Sequence, residues 1–183
     1  MQSITLNQIE LLDPVRHNRK SFTSGVAQLD AYLRTKARKD APSLSLTFAL
    51  TCKEEVGEIL GYYSLSSAHL RSDDLPADLM KKIGHYGAIP ATLLGRLAVA
   101  EAYQRTRELR VGEKLLVDAT LRSYSASLSV ASFGMIVDVL VGEKGDPTSF
   151  YEKYGFRKCA NTAGKMYLPM KTIIQIMKAA TLI

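Results

Sequence analysis

Histidine and cysteine are scarce in this chain of 183 residues: three of the first and two of the second. Cys52 and Cys159 lack the close spacing of a metal site and have no histidine beside them, so no metal is expected. They are read as reduced thiols of a cytoplasmic protein, with a disulfide between them as the alternative. No apolar run approaches the roughly 18 residues needed to cross a membrane. The opening MQSITLNQIELLDP mixes polar and acidic residues with apolar ones, unlike a signal peptide. No linker, internal repeat or low-complexity segment divides the sequence. A single domain over residues 1–183 is therefore expected, long enough for a real core and short for two domains.

Positive charge is in excess. The formal net charge is +6 and the isoelectric point about 9.3. Solubility is one reading, and an anionic partner such as nucleic acid or a phosphorylated cofactor is the other. Arg16, Arg19 and Lys20 sit in a basic loop. A helix expected over about Val26–Lys39 places Arg34 and Arg38 four residues apart on one face. That face is either solvated surface or a contact for phosphates.

The stretch around which the rest is organised is Leu93–Leu116, LLGRLAVAEAYQRTRELRVGEKLL. An apolar run predicts a strand over Leu93–Val99, with Pro90 just before it. A polar, arginine-rich loop follows, and helical spacing begins at Gly112 and continues to about Ser127. Strand, donor-rich loop and helix N-terminus together can hold a phosphate, because free backbone N–H groups and the helix dipole face the anion. Arg96 lies within the otherwise apolar strand, where it makes either a core-edge salt bridge or a contact to nucleic acid. Elsewhere, β-rich segments predict strands at Ser45–Cys52, Ile59–Ser67, Phe133–Leu140 and Tyr167–Met170. Short helices are expected near Asp73–Lys82 and over Thr148–Tyr154, the latter stopped by Gly155, with a terminal helix over Lys171–Ile183. The sum is a mixed α/β fold.

Phe150–Phe156, FYEKYGF, closely resembles the FYxxxGF segment of the GNAT superfamily of N-acetyltransferases. GRLAV at Gly95–Val99, GYYSLSS at Gly61–Ser67, Phe22-Thr23-Ser24-Gly25 followed by Leu29-Asp30-Ala31-Tyr32-Leu33, and Tyr167-Leu168-Pro169-Met170 resemble one branch of it: the toxins of bacterial toxin–antitoxin pairs that acetylate aminoacyl-tRNA. The likeness spans about residues 10–171. It implies a mostly antiparallel sheet that splays between the Leu93–Val99 and Phe133–Leu140 strands. It also implies acetyl-CoA as co-substrate, with pantetheine along Leu97, Ala98 and Val99. The pyrophosphate would lie at Arg107, Arg110, Val111, Gly112 and Glu113. The expected partners are aminoacyl-tRNA, a small ribbon-helix-helix antitoxin and a second copy of the chain. On the same resemblance Tyr151 is the proton donor to the leaving thiolate; otherwise it is a packed aromatic beside Phe150 and Phe156. Tyr154 is the expected core residue of the two tyrosines.

Acetyl transfer to an amine needs a neutral amine, a stabilised carbonyl oxygen and a protonated leaving thiolate. A lysine, with a pKa of about 10.4, demands a good base, whereas an α-amine near 7.7–8 is already neutral in part. No paired carboxylates or histidine base stand out. His17, His69 and His85 are scattered, and Glu101 is the one carboxylate nominated. This suits an α-amine such as that of aminoacyl-tRNA, whose acetylation blocks peptide-bond formation. Arg34, Arg38 and Arg96 are then candidates for tRNA phosphates. The family's pyrophosphate loop usually reads Q/R-x-x-G-x-G/A, and here Arg110 stands where the first glycine is expected. Its side chain either crowds the phosphate or supplies charge to it. A GNAT enzyme acting on a protein or small-molecule amine, or an inactive GNAT-fold binding module, are the other readings.

Overall fold

The structure is a computed structural model that describes residues 4–84, 86–106, 108–142 and 144–181. In chain order the elements are β1 (Glu10–Leu11), α1 (Ala27–Thr35), α2 (Ala37–Asp40), β2 (Leu46–Thr51), β3 (Ile59–Arg71) and α3 (Ala77–Ile83). They continue with β4 (Ala88–Val99), α4 (Glu101–Gln104), α5 (Val111–Ser127) and β5 (Gly134–Asp138). The last are α6 (Thr148–Lys153), β6 (Arg157–Lys158), β7 (Lys165–Pro169) and α7 (Met170–Ala179). Two compact units divide the chain: Met1–Ser66 with Gly95–Ala119, and Ser67–Leu94 with Thr120–Ile183. β3, β4 and α5 contribute residues to both.

In the first unit the strand order is β1-β2-β3-β4. β1 pairs antiparallel with β2, and β2 with β3 from Leu46↔Leu65 to Thr51↔Ile59, with an irregularity at Leu50/Thr51. The expected hairpin is thus present. The core of this unit gathers Phe22 from the N-terminal loop, Tyr32 and Leu33 from α1, Ile59 and Tyr62 from β3, and Ala98 from β4. The helix expected over Val26–Lys39 is interrupted at Lys36, which nothing in the sequence marks. Its end at Asp40 has a cause: Ala41 precedes Pro42, and a residue before proline is disfavoured in helix.

In the second unit the order is β4-β5-β7-β6. β4 and β5 run parallel, paired over Thr92↔Met135, Leu93↔Ile136 and Leu94↔Val137. β5 and β7 are antiparallel from Gly134↔Pro169 to Asp138↔Lys165. Leu70, Leu75, Ile89, Ala91, Ile136 and Tyr167 form its core. β4 begins at Ala88, five residues before the sequence pattern suggests. Pro90 does not stop it, because its carbonyl accepts from the Phe133 N–H at 2.8 Å and its missing N–H is not called upon. β5 ends at Asp138 rather than Leu140 because its partner β7 starts at Lys165; Leu140 and Val141 are exposed.

Candidate active site

In the first unit, the Gly95–Val99 part of β4 is the outer strand of the order β1-β2-β3-β4. The Ala100 N–H donates to the Leu60 carbonyl at 2.9 Å. A Cβ placed on Gly61 would lie 2.9 Å from the Ala98 carbonyl oxygen, so Ala98 also directs its backbone at β3. Strand alternation then turns the backbone groups of Leu97 and Val99 away from β3. Of the three residues expected to pair with pantetheine, these two present groups on the outer edge, and Ala98 contributes a buried side chain.

The end of this edge is pinned by a residue the sequence reading passed over. The Gln104 amide donates to the Val99 carbonyl at 2.9 Å and to the Ser24 carbonyl at 2.8 Å. Ser24 is fixed in turn by Asp30, whose buried carboxylate accepts from the Ser24 N–H at 2.8 Å and Oγ at 2.6 Å, and from Thr23 Oγ1 at 3.3 Å. The Thr23 carbonyl accepts from the Glu101 N–H at 2.9 Å. The Phe22–Gly25 and Leu29–Leu33 segments are thus a clamp on the exit of β4. The signal was Asp30, a carboxylate on the apolar face of a helix.

The loop after α4 leads into α5. Arg107 lies outside the described residues. Arg110 has φ 43°, the left-handed conformation that glycine adopts most cheaply. Its backbone therefore takes a conformation that glycine favours, at the position where the family pattern has glycine. Its carbonyl accepts the Lys114 N–H at 3.0 Å, so the N–H groups of Val111, Gly112 and Glu113 have no acceptor in their own helix. Arg110 Nη1 reaches both Glu113 oxygens at 3.2 and 3.3 Å. This pairing places the exposed guanidinium beside the helix N-terminus. Val111 is buried, and Gly112 is half-buried. Free donors, a helix dipole and a guanidinium are suited to a pyrophosphate.

In the second unit, Asp146 Oδ1 accepts the Thr148 N–H at 2.8 Å at the start of α6, and Gly155 (φ 87°) ends it. The donors from Thr148 hold the Asp146 carboxyl below its ordinary pKa. Tyr151 lies on this helix, 6% exposed. Its ring meets Phe150 edge-on at 5.3 Å and Phe156 at 5.5 Å. Burial pushes its phenol up to about 12. Tyr154, expected to be the core residue of the pair, is instead half-buried, with its ring 5.2 Å from Phe150 and the Lys153 ammonium 5.2 Å from its centroid. The reason is helical phase: Tyr151 faces Phe156 and the interior, while Tyr154 is the residue that caps the C-terminal end of α6.

The other nominated groups separate by role. His17 is buried, with Nδ1 accepting from the Asp13 N–H at 3.0 Å and Nε2 3.0 Å from Glu10, a packing role. His69 is exposed on β3, and His85 lies outside the described residues. Glu101 is exposed on α4. Both cysteines are free thiols, and burial pushes Cys159 up to about 11. Among the described residues no group of histidine, cysteine and carboxylates could hold a metal, and no helix is long and apolar enough to cross a membrane. Arg34, exposed, donates to the Phe22 carbonyl, and Arg38 is exposed on α2. The salt bridge considered for Arg96 is absent among the described residues; its guanidinium lies 3.5 Å from the centroid of the Tyr32 ring, a cation–π contact.

No protein-family model matches the chain. Individual relatives do. The tRNA-acetylating toxin of Mycobacterium tuberculosis is 31% identical over 136 residues, covering 74% of this chain and 76% of that protein. The probable toxin TacT of Sinorhizobium fredii is 28% identical over 173 residues, 92% of this chain and 94% of that one. Among solved structures, AtaT complexed with acetyl-methionyl-tRNAfMet superposes with a TM-score of 0.79 at 26% identity, over 96% of this chain and 99% of that chain. AtaTR has also been solved bound with acetyl-CoA, and a mutant AtaT toxin bound to the C-terminus of the antitoxin AtaR. The fold is that of a GNAT acetyltransferase. The chain belongs to the tRNA-acetylating toxins of toxin–antitoxin systems.

Proposed function

We propose that the protein is a toxin that transfers acetyl from acetyl-CoA to the α-amine of aminoacyl-tRNA and so stops translation. The observation that carries the chemistry is the burial of Tyr151, which pushes its phenol up to about 12, above the usual value of a thiol near 8.5. The phenol keeps its proton at neutral pH and can give it to the departing thiolate. Acetyl-CoA supplies the acetyl group as a thioester. The outer edge at Leu97 and at the Val99 N–H, whose own carbonyl is held by Gln104, is suited to hydrogen-bond pantetheine as an added strand would. The N–H groups of Val111, Gly112 and Glu113, with Arg110 and with Arg107, are suited to its phosphates. The Ala98 side chain packs the strand in place. Arg34, Arg38 and Arg96 are assigned to the RNA.

The acceptor follows from what the chain offers an amine. Glu101 is exposed, and the described histidines are packed or solvated, so the amine best served is one already partly neutral at pH 7, an α-amine. The relatives named for tRNA acetylation support the same class. By the same kinship an antitoxin neutralises the toxin, and we assign it to the ribbon-helix-helix type, with the toxin itself a homodimer in the cytoplasm. The test is cell-free translation with labelled acetyl-CoA. Label in the aminoacyl-tRNA fraction, with translation arrested, is expected. Label in protein points to a different amine, and label in neither to a binding module; either result overturns the proposal.

A further inference from the structure

In the first unit two neighbouring donors, the Tyr32 hydroxyl and the Arg96 guanidinium, have no acceptor among the described residues. Tyr32 is 5% exposed, and its ring stacks on that of Tyr62 at 6.4 Å and 19°. The Tyr62 hydroxyl is satisfied, donating to the Leu29 carbonyl at 2.8 Å. The Tyr32 hydroxyl is buried and has no partner among the described residues. The Arg96 guanidinium, half-buried and 3.5 Å from the Tyr32 centroid, makes no hydrogen bond or ion pair among the described residues. The nearby carboxylate, Asp30, spends both oxygens on Ser24 and Thr23. Proteins rarely leave a buried hydroxyl orphaned, since doing so costs stability. A guanidinium lying on a ring keeps its edge N–H groups for a planar or tetrahedral oxygen anion.

We propose that Arg96 and the Tyr32 hydroxyl form a seat for a phosphodiester oxygen of the RNA acceptor end. This rests on the RNA-acetylating reading above and deepens it. Both groups only donate, or donate best, toward such a ligand, and the guanidinium supplies the opposite charge. Arg96 directly precedes Leu97, the first edge residue assigned to acetyl-CoA. A phosphate held at Arg96 therefore anchors the acceptor beside the strand along which the acetyl donor is expected.

Tyr32→Phe tests this with little disturbance, because it removes only the hydroxyl and leaves ring, stacking and cation–π contact. A structural hydroxyl would destabilise the fold when lost. A hydroxyl kept for a ligand leaves the melting temperature equal or higher when lost. The expected result is an unchanged or raised melting temperature, a Kd for a fluorescein-labelled acceptor-stem RNA hairpin ending in CCA weakened about tenfold, and an unchanged KM for acetyl-CoA. Arg96→Gln should weaken the same RNA and lower the slope of log Kd against log salt by about one, the loss of one phosphate contact. An unchanged RNA Kd in Tyr32→Phe overturns the proposal. So does a lowered melting temperature, or an acetyl-CoA KM that rises in its place, which would make the phosphate the cofactor's. Because hairpin binding is read without turnover, a protein that binds RNA through this seat but labels none of it sinks the toxin reading and spares the seat.

Discussion

The phenol proposed to hand a proton to the leaving thiolate, Tyr151, has to hold that proton until the transfer, and burial favours its protonated form. Tyr151→Phe removes the donor and keeps the ring among Phe150 and Phe156. We expect kcat to fall by about 10²–10⁴ with the acetyl-CoA KM unchanged and the fold intact. Rate should rise with pH as the acceptor amine loses its proton, around 7.7–8, and show no falling limb up to pH 9. A falling limb there, or full activity in the variant, would remove Tyr151 from its role. The same shift has a stability consequence. The folded chain binds this proton more tightly than the unfolded one, whose phenol titrates near 10. The contribution is whole below pH 10 and is lost as pH rises toward 12, about 3 kcal/mol for two pKa units. At this scale the packing of Tyr151 beside Phe150 and Phe156 was legible, because these neighbours in sequence are its neighbours in space, whereas its role as proton donor rests on the FYxxxGF resemblance. Arg96 was not: its partner Tyr32 lies in a distant segment, and no local pattern distinguishes a salt bridge from a ring contact. The clamp from Asp30 through Ser24 to Gln104 escaped for the same reason.

Between elements, the approach of α5 to the sheet decides where the helix N-terminus stands. Gly61 makes that approach possible. A Cβ there would lie 2.8 Å from Leu115 Cδ1, 2.9 Å from the Ala98 carbonyl and 3.0 Å from Val111 Cγ1. Backbone and helix side chains would both have to yield. Gly61→Ala should therefore cost about 1–3 kcal/mol in urea unfolding. It should also weaken acetyl-CoA binding measured by calorimetry, because the Val111–Glu113 donors are displaced relative to the β4 edge. Lost stability with an unchanged acetyl-CoA affinity would show that the start of α5 is not part of the cofactor site. The helix itself was legible: spacing placed its start at Gly112, and it begins at Val111. The feature that made the loop doubtful, an arginine at a glycine position, resolves as backbone. Arg110 enters the left-handed region at φ 43°, a cost of about 1–2 kcal/mol that sequence spacing does not display. The early start of β4 was hidden by Pro90, whose carbonyl still pairs, and β6 is two exposed residues with no pattern to read.

Across the whole chain the excess of six positive charges was visible from composition, but not which of them are free. Arg16 is spent on Glu10 and Asp13, while Lys20, Lys36, Arg38 and Lys39, all exposed, have no ion pair among the described residues. Arg16 also holds the Asp13 carboxyl down at about 2, so that pair stays charged through the working pH range. These four lie in the first unit, around α1 and α2 and the loop before them, while Lys81, Lys82, Lys171 and Lys178, likewise exposed and without an ion pair among the described residues, lie in the second. If they meet a polyanion, each phosphate neutralised releases a counterion, and affinity falls as a power of salt concentration. A small cofactor held by a few phosphate contacts follows a shallower law. Raising salt from 50 to 200 mM should therefore raise the KM for aminoacyl-tRNA about tenfold or more, as expected for three or more phosphate contacts. The acetyl-CoA KM should change several times less. Replacing Lys36, Arg38 and Lys39 together by glutamine should flatten the RNA curve and leave the cofactor curve where it is. Equal slopes for the two substrates would mean that the RNA is held by its aminoacyl end alone and that the basic face is only solvated surface.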